Sequence, residues 1–189
     1  MQQIKVQTPA KINLTLELLG KRPDGFHELQ SIMHAISLYD YLTITVEDSN
    51  KNKIELSGTS TEIPYDEKNI VHKAIIKYLE TTKIENKKIL VHIEKNIPVS
   101  AGLAGGSTNA SGVFFGLNKI FNNILTTKQL HELASTLGSD LNFCLEGGCA
   151  LCKGRGEIIE KLAPYDFKVS LIKPKSFGIS AKEASALIR

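Results

Sequence analysis

The chain has 189 residues, of which 42% are hydrophobic and 23% charged, a composition typical of a globular protein with one domain or the beginning of a second. Its net charge of +3 is small and the lysines are scattered, which favours anionic small ligands and argues against a nucleic-acid surface. No apolar run is long enough to span a bilayer and the N-terminus lacks the apolar segment of a signal peptide, so we expect a cytoplasmic protein with no membrane partner.

The first part of the chain has the alternating pattern of strands. Residues 3–6 predict a short strand, and residues 12–18 predict a second one with a single buried face, because every other residue is Ile or Leu. Residues 20–25, which contain a Pro-Asp-Gly turn, predict a loop. Residues 42–46 and 53–56 predict two more strands.

The rest of the chain mixes helices with strands. Apolar residues at helical spacing predict a helix that opens at Asn69, and a capping box at Thr126 predicts another that ends at Gly138. A second capping box, at Ser180, predicts a final helix. Strands are expected over three further segments, residues 149–153, 157–159 and 168–172.

The most informative stretch is the glycine-rich sequence at residues 97–110, Ile-Pro-Val-Ser-Ala-Gly-Leu-Ala-Gly-Gly-Ser-Thr-Asn-Ala. It joins a strand pattern at residues 89–94 to a helix pattern at residues 110–121. This order makes an anion site, because N–H groups of the turn and of the first helical turn stay unpaired. Glycine is also the default residue of tight turns, and the spacing fits neither the P-loop nor the dinucleotide fingerprint. Three good helix caps follow the glycines: Ser107, Thr108 and Asn109.

Two of the three cysteines, Cys149 and Cys152, form a C-x-x-C motif. Zinc binding needs a second cysteine pair, and a redox couple needs a helix N-terminus. Here the motif lies in an apolar strand pattern, where positions three apart point to opposite faces. We therefore expect buried structural thiols.

Three further blocks accompany the glycine-rich stretch in a fixed order: Pro-Ala-Lys-Ile-Asn-Leu at 9–14, Arg-Pro-Asp-Gly-Phe-His-Glu-Leu at 22–29 and Leu-Gly-Ser-Asp at 137–140. Together the four blocks resemble the GHMP kinases, the small-metabolite kinases that include galactokinase, homoserine kinase and mevalonate kinase. The glycine-rich stretch is similar to their P-x-x-x-G-L-x-G-G-S-[ST] signature. The resemblance spans nearly the whole chain.

For the fold, the resemblance implies the α+β GHMP kinase N-terminal domain (ribosomal S5 domain 2-like), a mixed, mostly antiparallel sheet with helices packed on one side. Residues 1–165 would form this ATP-binding domain, and residues 166–189 would begin a truncated C-terminal GHMP kinase domain. We expect such a chain to be poorly soluble alone or to form a homodimer, with weak activity, because the absent domain would leave an apolar interface exposed.

For the chemistry, the resemblance implies ATP-dependent phosphorylation of an alcohol, with Mg²⁺ as the metal. Asp140 would take the proton of the acceptor hydroxyl and Lys11 would orient Asp140, whereas by pattern alone Lys11 is a surface charge and Asp140 a helix N-cap. Ser107 is implied as a Mg²⁺ ligand. The ATP phosphates are assigned to the loop residues Pro98, Val99, Ser100, Ala101, Gly102, Leu103, Ala104, Gly105, Gly106, Ser107 and Thr108.

The block at residues 22–29 implies a cytidyl diphosphate sugar-alcohol as the small-molecule substrate. The implied substrate-binding residues are Asn13, Phe26 and His27. Phe26, where the family commonly has Tyr, would stack on the cytosine, and His27 would hydrogen-bond to it. By pattern alone, an aromatic–histidine pair is more often packing.

Other assignments and functions stay open. Asn69 and Lys95 fall in a region implied to lie near the adenine, although Asn69 is also a good helix cap. Arg155 sits in a turn and could touch phosphate, although such arginines are usually solvated. The chain could also be an inert ATP-binding fragment or another GHMP kinase of a small alcohol. A nucleic-acid module is a further alternative, because the ribosomal domain shares the architecture, but clustered charge and aromatic residues are lacking.

Overall fold

The computed structural model describes residues 1–23, 25 and 27–173, and within that part the chain forms one seven-stranded mixed sheet with four helices. The predicted final helix at Ser180 lies outside the described residues. The strands are β1 (Gln2–Asn13), β2 (Glu17–Lys21), β3 (His27–Asp48), β4 (Lys53–Gly58), β5 (Lys87–Glu94), β6 (Cys149–Gly154) and β7 (Ile158–Leu162). The helices are α1 (Ile70–Thr82), α2 (Gly105–Ile120), α3 (Thr127–Ser135) and α4 (Leu141–Glu146).

The long strand β3 is the centre of the sheet. It pairs antiparallel with β2 and β1 along one edge and with β6 and β5 along the other. Strand β4 continues the sheet beyond β5 as a parallel neighbour, and β7 continues it beyond β6 as an antiparallel one. The expected mixed, mostly antiparallel sheet is therefore confirmed.

The hydrophobic core lies between one face of this sheet and the helices. Alternate residues of β3 and β5 point into it and are buried: Leu42, Ile44, Val46, Ile89, Val91 and Ile93. Helix α2 packs closely over β1 and β3, because Gly112 and Gly116 have no side chain. A Cβ at Gly112 would lie 2.3 Å from Thr8 Cγ2, and one at Gly116 would lie 2.5 Å from Ile44 Cδ1.

The starts of three of the four described helices were predicted correctly, since Asn69 precedes α1, Thr126 precedes α3 and Asp140 precedes α4. Asn69 caps α1, because its Oδ1 accepts from Val71 N at 2.9 Å, and Thr126 forms the expected capping box with Gln129 at the start of α3. The start of α2 differs from the prediction. Its N-cap is Ala104, which makes no side-chain cap hydrogen bond, and the predicted caps are inside the helix.

Three strand predictions are wrong in extent or kind. Strand β1 runs without a break through residues 2–13, and the chain leaves the sheet where residues 12–18 predict a strand with a buried face. Leu14 and Leu16 lie in the connection between β1 and β2, outside any strand, and are 46% and 53% exposed. Residues 168–172 form no strand, because no neighbouring strand pairs with them.

The pairing of β1 with β3 shifts register at one point that matters for the site. Pro9 lies opposite Tyr39, but the next residue, Ala10, lies opposite Ile36. Such irregularities bend a strand and re-aim the side chains that follow. Lys11 is the second residue after this shift and is 6% exposed. None of the helices among the described residues is long and apolar enough to cross a membrane.

Candidate active site

The glycine-rich loop between β5 and α2 has an alternating backbone conformation. Ser100, Gly102 and Ala104 have φ of 52°, 72° and 56°, and the residues between them do not have positive φ. Alternation of this kind turns successive N–H groups toward one side and makes a concave anion site. For Ser100 and Ala104 the left-handed conformation costs about 1 kcal/mol or more each. Such strain is common where a backbone is shaped for a ligand.

The first turn of α2 completes this concave surface. Because the N-cap Ala104 offers no side-chain acceptor, the first N–H groups of the helix remain free to bind a ligand. They carry the positive end of the helix dipole, which favours an anion. Gly105 and Gly106, the first two helical residues, line the adjoining cleft.

The cleft next to this loop has a volume of about 600 Å³. Residues 98–106 all line it, and the segment that leads into α1 forms the opposite wall with Pro64, Asn69 and Ile70. Lys11 and Asp140 line the same cleft. The structure therefore places the glycine-rich loop and the expected proton-transfer pair in one continuous cleft.

Two of the charged residues that line the cleft, Lys11 and Asp140, form an ion pair. Lys11 Nζ lies 3.4 Å from Asp140 Oδ2 and donates a hydrogen bond to Asn13 Oδ1 at 2.9 Å. The backbone N–H of Lys11 also donates to Leu103 O in the glycine-rich loop at 3.1 Å. Lys11 is thus fixed between the loop and Asp140. The pattern-based expectation of an exposed surface lysine is wrong.

Asp140 precedes α4, and its side chain is available for chemistry. It occupies the N-cap position but makes no side-chain cap hydrogen bond, and the side chain is 31% exposed. Two residues further on, Asn142 ties the start of α4 to its neighbours, since its Nδ2 lies within 3.1 Å of both Ser135 Oγ and Glu157 O. Gly156 packs against Ser139, the residue before Asp140, since a Cβ at Gly156 would lie 3.4 Å from the Ser139 carbonyl oxygen. The fold therefore fixes the position of the Asp140 carboxylate, and its oxygens make no capping hydrogen bond to α4.

Comparisons with known proteins agree with this geometry. The sequence profile described as GHMP kinases N terminal domain matches residues 69–148. A 4-diphosphocytidyl-2-C-methyl-D-erythritol kinase of Clostridium perfringens strain SM101 is 42% identical over 180 residues, which are 95% of this chain and 62% of the relative. By these matches the chain is similar to the GHMP kinases. A kinase of the same name from Prochlorococcus marinus is 44% identical over 179 residues, 94% of this chain and 57% of that relative.

A solved structure extends the GHMP kinase similarity to three dimensions. The crystal structure of a 4-(cytidine 5'-diphospho)-2C-methyl-D-erythritol kinase superposes on this chain with a TM-score of 0.68 at 34% identity. The superposition covers 85% of this chain and 55% of the other. The chain thus spans about three fifths of the length of the curated relatives it matches.

The expected GHMP phosphate-loop residues fall into two groups. Residues 98–106 line the cleft, whereas Ser107 and Thr108 lie deeper in the first turns of α2 and do not line it. Ser107 is half-buried beside Gly106, and Thr108 is 1% exposed. Their assignment to ATP, and that of Ser107 to Mg²⁺, stay predictions.

The expected substrate residues are only partly brought together. Asn13 contacts Lys11 directly. His27 opens β3 opposite Lys21 and is not among the residues that line the cleft. Phe26 lies outside the described residues. Of the residues with weaker assignments, Asn69 and Lys95 both line the cleft, Asn69 as the cap of α1, and Arg155 does not line it.

The residue that sequence analysis missed is Asp40, in the middle of β3. Its side chain is fully buried, and its Oδ2 accepts from Lys95 Nζ at 2.7 Å. Its Oδ1 accepts from the backbone N–H groups of Asn96 and Ile97 at 2.6 and 2.8 Å. These residues lead directly into the glycine-rich loop. The one signal in the sequence was a charged residue inside a strand pattern, which is rare unless the charge is paired.

The donor set suits a nucleotide-borne metal better than a resident one. The described residues contain no cluster of three or more His, Cys, Asp or Glu side chains that could hold a metal ion. Mg²⁺ that arrives with a nucleotide is held mainly by phosphates and water, with one or two protein oxygens. The Asp140 carboxylate and the Ser107 hydroxyl are oxygens of the required type.

The thiols close to this site are chemically inert. Cys149 and Cys152 are buried and unpaired, as the sequence predicts. Burial, assisted by the Asp140 carboxylate, raises the pKa of the Cys152 thiol to about 11 and that of Cys144 to about 12. Both thiols therefore stay protonated at neutral pH and supply no nucleophile.

Proposed function

We propose that this chain is the N-terminal, nucleotide-binding part of a cytoplasmic kinase that transfers phosphate from ATP to the 2-hydroxyl of 4-diphosphocytidyl-2-C-methyl-D-erythritol. The observation that carries the proposal is the single cleft that contains both the strained loop at residues 98–106 and the Lys11–Asp140 pair. The relatives that bear this kinase's name, at 42% and 44% identity, supply the substrate.

Each part of the cleft has a task in phosphoryl transfer, which needs alignment, charge neutralisation and removal of a proton. The N–H groups of the loop and of α2 bind the ATP phosphates. Asp140 accepts the proton of the acceptor hydroxyl, and Lys11 orients that carboxylate and stabilises the developing alkoxide charge. Mg²⁺, when bound with the nucleotide, neutralises phosphate charge, with Ser107 as its protein ligand. Phe26, His27 and Asn13 bind the cytidyl part of the acceptor.

The domain division belongs to the same proposal. Residues 1–165 make the nucleotide-binding domain, and residues 166–189 begin a second one. In support, residues 163–173 leave the sheet, and the apolar side chains of Tyr165 and Ile172 are 73% and 92% exposed. Exposed apolar groups of this kind also favour a homodimer, for which size-exclusion chromatography is the test.

The decisive experiment is coupled ADP release with 4-diphosphocytidyl-2-C-methyl-D-erythritol, homoserine, mevalonate and galactose as competing acceptors. We expect turnover with the first compound only, and preference for any of the others would overturn the substrate assignment. Equilibrium binding of ATP is measured beside it. Binding without turnover on any acceptor would identify an inert ATP-binding fragment instead. Tight binding of an oligonucleotide with a steep salt dependence would favour the nucleic-acid alternative.

A further inference from the structure

The buried Asp40–Lys95 pair lies under the phosphate-binding loop and outside the Lys11–Asp140 couple. The Asp40 side chain is 0% exposed and that of Lys95 is 5% exposed. Buried charges of this kind are costly unless they are paired and fully hydrogen-bonded. Asp40 meets this condition with three donors, the Lys95 ammonium and the N–H groups of Asn96 and Ile97.

The bonds from this part of β3 fix the direction in which the chain leaves β5. The side-chain amide of Asn96 donates to Tyr39 O at 2.9 Å, beside the bonds to Asp40. The Lys95 ammonium turns back and also donates to Ile97 O. Three consecutive residues, ending at the one before Pro98, are therefore held by two neighbouring residues of β3. The loop begins from a fixed backbone.

The C-terminal end of the loop, at the start of α2, is also linked to Asp40 and Lys95. Thr8 Oγ1 lies 3.2 Å from Asp40 O and 3.0 Å from Asn109 Oδ1 in α2, and its single proton can be donated to either oxygen. Gly105, the first residue of α2, lies directly over Lys95, because a Cβ there would be 2.9 Å from Lys95 Nζ. Asp40 is thus in contact, directly or through one side chain, with both ends of the glycine-rich loop.

The charges in this arrangement explain why a carboxylate is needed. An ammonium group under the N-terminus of a helix is unfavourable, because both are positive. Lys95 lines the cleft whereas Asp40 does not, so Asp40 offsets that repulsion without adding a carboxylate to the cleft wall. Lys95 and the first turn of α2 can then stay close together, and the positive surface that faces the cleft is preserved for an anion.

We propose that Asp40 is a positioning residue that holds the loop at residues 98–106, through Lys95 and two backbone amides, in the conformation that binds the phosphates of ATP. The proposal rests on the proposed function for the identity of the anion. It concerns a residue that touches neither nucleotide nor acceptor. A preformed loop avoids the ordering cost that binding would otherwise incur, so losing the carboxylate should weaken ATP binding more than it weakens acceptor binding.

The test compares Asp40→Asn with the double variant Asp40→Asn/Lys95→Met. Asparagine keeps the shape and one acceptor oxygen but faces the Lys95 ammonium with an amide donor. Breaking one side of a buried pair lowers the Tm by roughly 10 °C, whereas replacing both partners restores much of it. We expect the Kd of ATP to rise about tenfold or more in Asp40→Asn, which keeps the Lys95 ammonium at the cleft wall. The Kd should stay raised in the double variant, because the Tm can recover without the charges while the loop geometry cannot.

A merely structural role predicts a different result. If the Kd of ATP returned to the wild-type value together with the Tm in the double variant, the positioning role would be wrong. It would also be wrong if both variants bound ATP within about twofold of the wild-type protein. If Asp40→Asn alone does not fold, the amide exchange of the double variant decides, because Lys95→Met also removes a cation from the cleft wall. The matched control is Asp48→Asn/Lys87→Met, an exposed pair that also joins β3 to β5 and should leave ATP binding unchanged.

Amide hydrogen exchange without nucleotide separates this inference from the proposed function. In the double variant, whose Tm largely recovers, we expect faster exchange at the two amides bonded to loop carbonyls, Lys11 N–H to Leu103 O and Thr108 N–H to Ala104 O. Both should exchange about tenfold faster than in the wild-type protein, with β6 unchanged. Equal acceleration in β6 and in the loop would mean that Asp40 stabilises the whole domain only, and would overturn the inference. A wild-type protein that bound no ATP would contradict the proposed function, and the exchange comparison would still decide whether Asp40 orders the loop.

Discussion

Lys11 and Asp140 meet at 3.4 Å although they come from opposite ends of the described chain, one from the first strand and one from the turn before α4. Lys11 is almost fully buried and Asp140 is about one-third exposed. The ammonium is therefore fixed and the carboxylate faces the cleft. This asymmetry suits a base that must reach a substrate and a partner that must not move.

The first prediction concerns Asp140 as the proton acceptor. Asp140→Asn preserves the shape of the side chain but removes its basicity, so kcat should fall about 10²–10⁴-fold while the Kd of ATP changes little. Coupled ADP release and equilibrium ATP binding measure the two quantities. Asp48→Asn, a substitution on the exposed end of β3, serves as the control and should keep normal turnover. Near-normal turnover in folded Asp140→Asn would show that another group accepts the proton.

The second prediction concerns the orienting role of Lys11. Lys11→Met keeps the backbone hydrogen bond to Leu103 O and the buried apolar stem, but removes the charge beside Asp140. We expect kcat to fall at least about 10²-fold, since charge stabilisation in such sites is worth that much. Lys11→Arg keeps the charge but cannot place it in the same narrow position, so it should restore only part of the activity. Full activity in Lys11→Met would remove this residue from the mechanism.

The third prediction uses two adjacent glycines with different surroundings. A methyl group at Gly106 would meet only Ile70 Cγ2 at 3.5 Å, so Gly106→Ala should stabilise the helix by up to about 1 kcal/mol. A methyl group at Gly105 would lie 2.9 Å from Lys95 Nζ and 3.1 Å from Ile97 Cγ2. Because Asp40 holds that ammonium, Gly105→Ala should destabilise the protein by roughly 1–3 kcal/mol. Denaturant unfolding of both variants measures the contrast, and equal stabilities would contradict it.

The fourth prediction concerns the pH dependence of stability at Glu146, which pairs with His131 and Lys161. Glu146 accepts from His131 Nε2 at 2.7 Å and from the Lys161 ammonium, and it is 17% exposed. Desolvation raises the pKa of Glu146, but the hydrogen bonds from Lys161 and His131 outweigh it and leave the pKa below its usual value. A depressed pKa gives stability that is present above the unfolded value of about 4.3 and is lost as the pH falls through the folded one.

Glu146→Gln should therefore cost about 1–3 kcal/mol at neutral pH, and this cost should shrink as the pH falls below about 4.3. Denaturant midpoints measured from pH 7 downward give the comparison. Glu160→Gln is the matched control, because Glu160 pairs with Lys153 on the exposed surface of β6 and β7 and is 53% exposed. A cost for Glu146→Gln that did not depend on pH would mean that packing, not charge, holds this cluster.

The core of the fold was readable from the sequence where one face of an element is buried and the other is not. The alternation of Ile89, Val91 and Ile93 predicts β5 correctly, and all three are buried. The first half of β3 gave no such signal. Residues 29–34 pair with β6 on one side, and on the other side with β2 at residues 29–30 and with β1 at residues 33–34. These partners come from other parts of the chain, so no local sequence pattern marks this half of the strand. A 22-residue strand was therefore predicted only over residues 42–46.

The site divides in the same way. The glycine-rich loop and the positions of Lys11 and Asp140 followed from contiguous blocks of sequence. The left-handed N-cap at Ala104 has no side-chain signal, so the helix start was placed too late. Asp40 was missed for a related reason, because its partners are an ammonium and two backbone amides 55 to 57 residues later in the chain. Contacts between backbone groups and distant side chains leave no periodicity to detect.

The central position of β3 has a kinetic consequence. The bond that closes β1 against α2 joins Thr8 and Asn109, which are 101 residues apart along the chain, and β6 reaches β3 over a similar distance. Chain segments this remote must find each other before their contacts offset the entropy of closing the intervening loop. We expect refolding to be slow, with the cleft becoming native only in the last phase. During synthesis, the first half of β3 cannot pair with β6 until residues 149–154 have left the ribosome.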